Sequence, residues 1–229
     1  MKHIVSFSGG KDSTAMLLKM LENNMPIDDI IYCDTGKEFP QMERHIEKVE
    51  KYIKERYGKS ITRLKSEKTF DYYMFEHEKT RGKNKGQKGY GWATMRCRWC
   101  TSYLKGIIID KYLKKYEKEG YIEYVGIAAD EPQRIKDKKY PLVEWEMTEK
   151  DCLKYCYEKG FDYEGLYEHF DRVSCWCCPM KNQKELKILY KYYPELWDKL
   201  KDMDNRAYNK FKANYSVQEL EEKFKKEGI

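Results

Sequence analysis

At 229 residues, with 37% charged side chains and a mean hydropathy of −0.93, the chain can bury one sizeable core plus a small helical appendage. No run approaches the ~18 apolar residues that span a bilayer, which excludes a helical membrane protein. The net charge of +6, from 45 basic and 39 acidic residues, permits a polyanionic partner without demanding one.

Met1-Lys2-His3-Ile4 leads directly into the first apolar run, leaving no room for a signal peptide, so a cytoplasmic protein is expected. In that reducing setting the eight cysteines point to metal or redox chemistry before a disulfide framework. Ile4-Val5-Ser6-Phe7 reads as a strand and is followed at once by Ser8-Gly9-Gly10-Lys11-Asp12-Ser13. A helix is expected from Asp12 to Asn23. A strand, a glycine turn and a helix N-terminus together point backbone N–H groups and the helix dipole at an anion. Lys11 adds a cation, Asp12 a carboxylate for Mg²⁺, and Ser8 and Ser13 add hydroxyls. The Walker spacing is absent.

Ile30–Cys33 reads as a second strand ending in Asp34-Thr35-Gly36, with Glu38-Phe39-Pro40 beyond. Carboxyl ends of strands in open α/β sheets carry ligands, so Asp34, Thr35 and Gly36 are expected at the same crevice as the first loop. Met42, Ile46, Val49 and Ile53 place a core face on a helix over 40–57, and 60–65 reads as a third strand. Residues 77–92 hold cations and glycines without periodicity and are expected to be a mobile basic loop: a lid, a phosphate-tracking segment or a solvated insertion. A helix follows Arg96-Cys97-Arg98-Trp99-Cys100. Residues 121–128 read as a strand that delivers Asp130, Glu131 and Arg134 to the sheet edge, and 142–145 as a last strand.

Thr148 caps a helix carrying Cys152 and Cys156, read as buried apolar cysteines. Cys33 is read as a small core residue, with a catalytic role left open by its place at the crevice. Helical patterns fill 181–192, 194–203, 206–213 and 216–226. Cys97-x-x-Cys100 and Cys175-x-x-Cys178 are two short-range pairs suited to one tetrathiolate centre, either Zn²⁺ or an iron–sulfur cluster. Pro179 after Cys178, and Trp99 and Trp176 within the pairs, lean toward [4Fe–4S]. Cys177 is a surplus thiol, a substitute ligand or a nucleophile carrying a persulfide.

The first loop resembles the pyrophosphate-binding loop of the PP-loop ATP pyrophosphatases, also called adenine nucleotide α-hydrolases. Asp34-Thr35-Gly36 with Glu38-Phe39-Pro40 resembles the second-strand motif of that superfamily's phosphoadenosine phosphosulfate (PAPS) reductase branch. The resemblance implies an α/β fold with an open, mainly parallel five-stranded sheet flanked by helices. Residues 1–147 would form the nucleotide-binding domain and 148–229 a helical C-terminal appendage carrying the second cysteine pair. It further implies ATP with Mg²⁺ held by Ser8, Gly9, Gly10, Lys11, Asp12, Ser13, Asp34, Thr35, Gly36, Asp130 and Glu131. Lys11, Asp12, Arg134 and Cys177 would be catalytic, and Cys97, Cys100, Cys175 and Cys178 metal ligands.

Two chemistries share that domain. In one, ATP is split to AMP and pyrophosphate, and the adenylylated acceptor, on tRNA or DNA, receives sulfur from a donor such as a cysteine desulfurase. In the other a sulfonucleotide is reduced. Such reductases resemble one another in a cysteine near the C-terminus and in a degenerate first loop. Here the last cysteine is Cys178 and the first loop is full, which favours the ATP-splitting reading. A non-catalytic nucleotide- or nucleic-acid-binding protein with structural zinc is the third reading. No membrane partner is expected, and a homodimer is left open.

Overall fold

The central strand β1 (Lys2–Ser6) is hydrogen-bonded on both edges, and Ile4 and Val5 are both fully buried. Burial on both faces is what a parallel sheet covered by helices requires of its middle strand. The computed structural model describes residues 1–229. In chain order β1 is followed by α1 (Lys11–Glu22), β2 (Asp29–Asp34), α2 (Pro40–Tyr57), β3 (Thr62–Lys65), α3 (Trp99–Thr101) and α4 (Ile107–Leu113). Then come β4 (Tyr121–Val125), α5 (Pro141–Glu144), α6 (Glu149–Glu158), α7 (Leu166–His169), α8 (Gln183–Tyr192), α9 (Pro194–Arg206) and α10 (Val217–Lys226). No helix is long and apolar enough to cross a membrane.

The chain divides into two units, each assembled from three segments. The first comprises Met1–Asp34, Phe39–Lys65 and Ile108–Val173. Its sheet is wholly parallel in the order β3-β2-β1-β4. The chain steps one way from β1 to β3 and then returns to the other edge of β1 for β4. This makes the gap between the carboxyl ends of β1 and β4 the topological switch point, where open α/β sheets bind ligands. The sheet has four strands where five were expected. Pro141 occupies the first turn of α5, so 142–145 coil into a short helix, a position that proline favours and a ladder rejects. What remains of a fifth strand is one parallel bridge between Tyr124 and Lys139.

Helix α1 is buried almost all round, from Lys11 to Leu21, and packs on α6, whose Cys152 and Cys156 are both fully buried. Cys33 sits in the core with Ile4, Ile31, Leu64 and Leu113, as a small hydrophobe does. Two glycines fix the height of the first loop. Gly9 has φ +82°, and a Cβ there would lie 2.9 Å from Ile46 Cγ1. At Gly126, just beyond β4, a Cβ would lie 2.7 Å from Ser13 Cα and 2.8 Å from Ser13 N. Those are backbone atoms that no rotamer change can clear. Gly126→Ala is therefore expected to cost about 2–3 kcal/mol in a chemical-denaturation experiment; an unchanged midpoint would contradict this close approach.

The second unit comprises Thr35–Glu38, Ser66–Ile107 and Ser174–Ile229. Its helical part closes on Trp197 and Phe224, with ring centroids 5.9 Å apart, and capping boxes start α8 (Asn182 with Glu185) and α10 (Ser216 with Glu219). Residues 207–213, expected to be helical, are not. Asn209 instead clasps the Trp92 backbone, accepting from its N–H at 2.8 Å and donating to its carbonyl at 3.2 Å. Within 77–92 there is a hairpin: Glu78 bridges Lys88, Lys79 N–H donates to Gln87 O, and Gly86 N–H donates to Lys79 O.

Candidate functional site

At the first unit's switch point, the loop between β1 and α1 is stitched to itself. The Ser8 N–H donates to Ser13 Oγ at 3.2 Å, the two serine oxygens lie 2.9 Å apart, and Ser13 Oγ donates to the Gly10 carbonyl at 3.0 Å. These serines set the loop's shape. No side chain caps α1, although Tyr167 occupies one of its first N–H groups: Lys11 N–H donates to the Tyr167 hydroxyl at 2.9 Å.

The Lys11 side chain is only 4% exposed. Its ammonium lies 3.1 Å from Glu149 Oε2, 3.7 Å from Asp12 Oδ2 and 3.5 Å from the Asp171 carbonyl, over the Tyr167 ring. Asp12, Glu131 and Glu149 each turn a carboxylate oxygen inward, all within 4.8 Å of one another. Asp12 Oδ1 is buried without a hydrogen-bond partner. Burial, reinforced by Glu149 and Glu131 and opposed by Lys11, pushes the Asp12 carboxyl up to about 6. Three converging carboxylates and an orphaned buried oxygen are a donor set that fits a hard divalent cation such as Mg²⁺.

Around the acids stand two guanidinium groups. Arg134 Nη1 donates to Glu131 Oε2 at 2.5 Å, and Arg172 Nη1 to Glu131 Oε1 at 3.0 Å. Asp130 Oδ1 accepts the Glu149 N–H at 3.0 Å, anchoring the first residue of α6. The expected residues Ser8–Ser13, Glu131 and Arg134 thus share one place, with Asp130 as a brace. Asp34 pairs with Lys65 of β3 at 2.9 Å. Glu149, Tyr167 and Arg172 were not anticipated. Glu149 reads in sequence as an ordinary first-turn acid after its Thr148 cap, and nothing local marks Tyr167 or Arg172.

In the second unit, Thr35 Oγ1 lies 3.8 Å from Cys175 Sγ, and Cys175 donates to Glu38 Oε1 at 3.5 Å. Thr35 and Gly36, expected beside the nucleotide, therefore belong to the unit that holds the cysteine pairs. Cys178 N–H closes its turn on the Cys175 carbonyl, and Thr94 and Cys97 exchange backbone hydrogen bonds at 3.1 Å in each direction. Burial and then the neighbouring Cys178 raise the Cys100 thiol. Burial, then Glu38, raises Cys175, with Cys178 adding to it and Lys105 opposing it. Buried thiols raised in this way, as Cys100 and Cys175 are, stay protonated until a metal cation takes the thiolates. The donor chemistry of Cys100, Cys175 and Cys178, with exposed Cys97 as the fourth, fits a thiolate-bound metal centre. Cys177 is 1% exposed, and burial pushes its thiol well above the ordinary range, the opposite of an activated nucleophile.

The family model of the phosphoadenosine phosphosulfate reductase domain matches residues 2–181. The chain is 28% identical over 211 residues to the uncharacterized protein MJ0066 of Methanocaldococcus jannaschii, covering 86% of this chain and 40% of that protein. It is 29% identical over 216 residues to MJ0973 of the same organism, also uncharacterized, covering 88% and 47%. With the uncharacterized nin region protein ORF290 of Escherichia phage lambda it shares 26% over 210 residues, covering 83% and 70%. The chain spans less than half the length of the two archaeal relatives. Among solved structures, a U34-tRNA thiolase, NcsA from Methanococcus maripaludis with its [4Fe-4S] cluster, superposes with a TM-score of 0.43 at 16% identity, covering 90% of this chain and 71% of that one.

Proposed function

This chain belongs to the phosphoadenosine phosphosulfate reductase domain family, and we propose that it works as an ATP-splitting member, adenylylating a nucleic-acid acceptor for sulfur transfer. The observation that carries this reading is the meeting of Asp12, Glu131 and Glu149 at the glycine loop with Lys11 among them. Cleaving ATP between its α and β phosphorus atoms expels a highly charged pyrophosphate, and a cation site on the phosphate loop meets that need.

In this scheme the Gly9–Ser13 backbone and Lys11 hold the phosphate chain. Asp12, Glu131 and Glu149 would hold Mg²⁺, which would supply positive charge for the leaving pyrophosphate. An acceptor oxygen forms the new bond to the α-phosphorus and the α–β bridging P–O bond breaks, its electron pair leaving with pyrophosphate. Arg134 and Arg172 stand close enough to Glu131 to turn toward that charge. A sulfur nucleophile at the oxidation level of sulfide then displaces AMP from the acceptor. Asp130 contributes by fixing the start of α6 and with it Glu149. Cys97, Cys100, Cys175 and Cys178 would hold a [4Fe–4S] cluster, which supplies an electrophilic iron for a sulfur ligand. Cys177, buried between Cys175 and Cys178 in the chain, would be a neighbour of that centre and not its nucleophile.

The test uses anaerobically purified protein with Mg²⁺ and ATP, with and without bulk tRNA or DNA, quantifying AMP and pyrophosphate. Stoichiometric AMP and pyrophosphate are expected. Their absence with every acceptor, together with sulfite formation from a sulfonucleotide and a dithiol reductant, would replace this reading by the reductase one. The same preparation is expected to be brown, absorbing broadly near ~400 nm, and Cys100→Ser or Cys178→Ser to lose most of that absorption and its iron. A colourless, zinc-loaded protein of full activity would reject the cluster.

A further inference from the structure

Lys79, Arg81, Lys83, Lys85, Lys88, Arg96 and Arg98 face one acid, Glu78, within residues 78–98, a local charge of +6. The whole chain also carries +6, so every other charge on the molecule balances out. Pairing shows the same asymmetry. Arg81, Lys83, Lys85, Lys88, Arg96 and Arg98 are exposed and make no ion pair, whereas cations such as Lys2, Arg44, Arg63, Lys159, Lys187 and Lys201 each hold an acid. Six unpaired cations on one strip, with self-repulsion unrelieved, are the electrostatic footprint of a polyanion site.

Beside the strip, in the same unit, rings are layered nearly parallel. Tyr73 and Tyr103 have centroids 4.9 Å apart at 14°, Tyr90 and Tyr103 5.6 Å at 21°, and His77 and Tyr90 5.0 Å at 24°. All four are half-buried, and the buried Trp99 ring lies 5.9 Å from Tyr90 and 6.3 Å from Tyr73. The hairpin carrying the cations is tied to this layer: Tyr90 N–H donates to Tyr73 O and Gly91 N–H to Met74 O, each at 2.9 Å. A basic ribbon fixed to partly open aromatic rings matches a chain whose phosphates are charged and whose bases are free to stack. Duplex bases are already stacked on one another and offer the rings nothing.

We infer that residues 78–98, with Tyr73 and Tyr103, form the docking surface for a single-stranded polynucleotide, phosphates on the hairpin cations and unpaired bases against the tyrosine layer. This deepens the reading above, on which it rests for the nature of the acceptor. It also assigns the strip around Cys97 to nucleic acid rather than to a protein partner.

The experiment measures binding of labelled single strands of RNA and of DNA, about 20 nucleotides long, and of their duplexes, by fluorescence anisotropy across a salt series on the whole protein. Single strands are expected to bind at least about tenfold tighter than duplexes. Replacing Arg81, Lys83, Lys85 and Lys88 together by Gln is expected to weaken binding at least tenfold and to lower the slope of log K against log salt by about 3. Tyr103→Leu is expected to weaken single-strand binding about tenfold with the slope unchanged, and Tyr103→Phe to restore it. Gln at Lys54, Lys114, Lys118 and Lys150 together, exposed lysines of the first unit, is expected to change it less than twofold.

Preferred duplex binding, equal losses from both lysine sets, or an unaffected Tyr103→Leu of unchanged melting temperature would overturn the inference. Pyrophosphate release with no single-strand binding overturns the docking surface alone. Binding with no pyrophosphate release under any condition overturns the adenylylation reading alone.

Discussion

Asp12→Asn lowers the rate of pyrophosphate release by about 10²–10³-fold and at the same time raises the melting temperature of the metal-free protein. The two effects share one cause. Asp12 is largely buried, one carboxylate oxygen has no partner, and Glu149 and Glu131 face it, so the chain holds a charge that folding alone disfavours. With its carboxyl pushed up to about 6, the ionised form at neutral pH costs the fold about 2–3 kcal/mol, part of which the neutral amide recovers after its contact with Lys11 is lost. A cation bound to the folded state offsets that cost by mass action. Mg²⁺ with ATP is therefore expected to raise the wild-type melting temperature and to leave that of Asp12→Asn unmoved. Calorimetric scans with and without Mg²⁺, beside a pyrophosphate assay, check both halves. Wild-type turnover in the variant would remove Asp12 from the site. Lys11→Ala is expected to lose cleavage to a similar degree without any gain in stability, because it takes the ammonium from Asp12 and Glu149.

Mild acid weakens the fold through His45. Its imidazole is 3% exposed, lies 4.0 Å from the Tyr163 ring, and shares a hydrogen bond of 3.1 Å with Thr14. Thr14 Oγ1 donates to the Gly9 carbonyl, so the bond from His45 comes from Nε2–H, and Nδ1 is left buried and bare. Burial, helped by Lys48 and opposed by Asp162, pushes the imidazole down to about 3. The unfolded chain takes up a proton below about 6.5 and the folded chain does not, so stability falls as pH falls through that window and levels off near 3. Between pH 6.5 and 5 the loss is about 2 kcal/mol, before the carboxylates of the paired surface acids begin to titrate. Asp12, whose raised carboxyl takes up its proton in the folded chain over the same range, offsets part of this loss, so urea unfolding at pH 7 and pH 5 reads the His45 part in the Asp12→Asn background. His45→Gln keeps a donor for Thr14 and is expected to flatten the profile by most of that amount; a variant with the wild-type slope would place the acid sensitivity elsewhere.

The first half of the architecture is plain in the residues because local signals agree there. Apolar Ile4-Val5, two glycines and the Ala15–Leu21 run all specify strand, turn and helix, and Pro40 opens α2 where the Met42–Ile53 face begins. Leu142-Val143-Glu144-Trp145 looks like a strand by composition, yet one proline decides for a helical turn. The loop acids show the deeper limit. Asp12 and Glu131 announce themselves by following strands. Glu149 reaches them only because α6 packs on α1 through Cys152 and Cys156, whose role is volume, and volume carries no chemical signature. Adjacency also misleads: Thr35 follows Asp34 in sequence, while its hydroxyl stands beside Cys175, 140 positions away.

Strand order has a consequence during synthesis. β1 is made well before β4, which it needs on one edge, and about 55 residues separate β3 from β4. At ordinary elongation rates the nascent chain spends roughly 3–10 s with β1, β2 and β3 emerging and the Lys2–Ser6 edge unclaimed. An open, apolar parallel edge invites foreign strands. The cation-rich hairpin is made within this interval, and like charge on that segment disfavours association of neighbouring chains before Tyr121–Val125 closes the sheet.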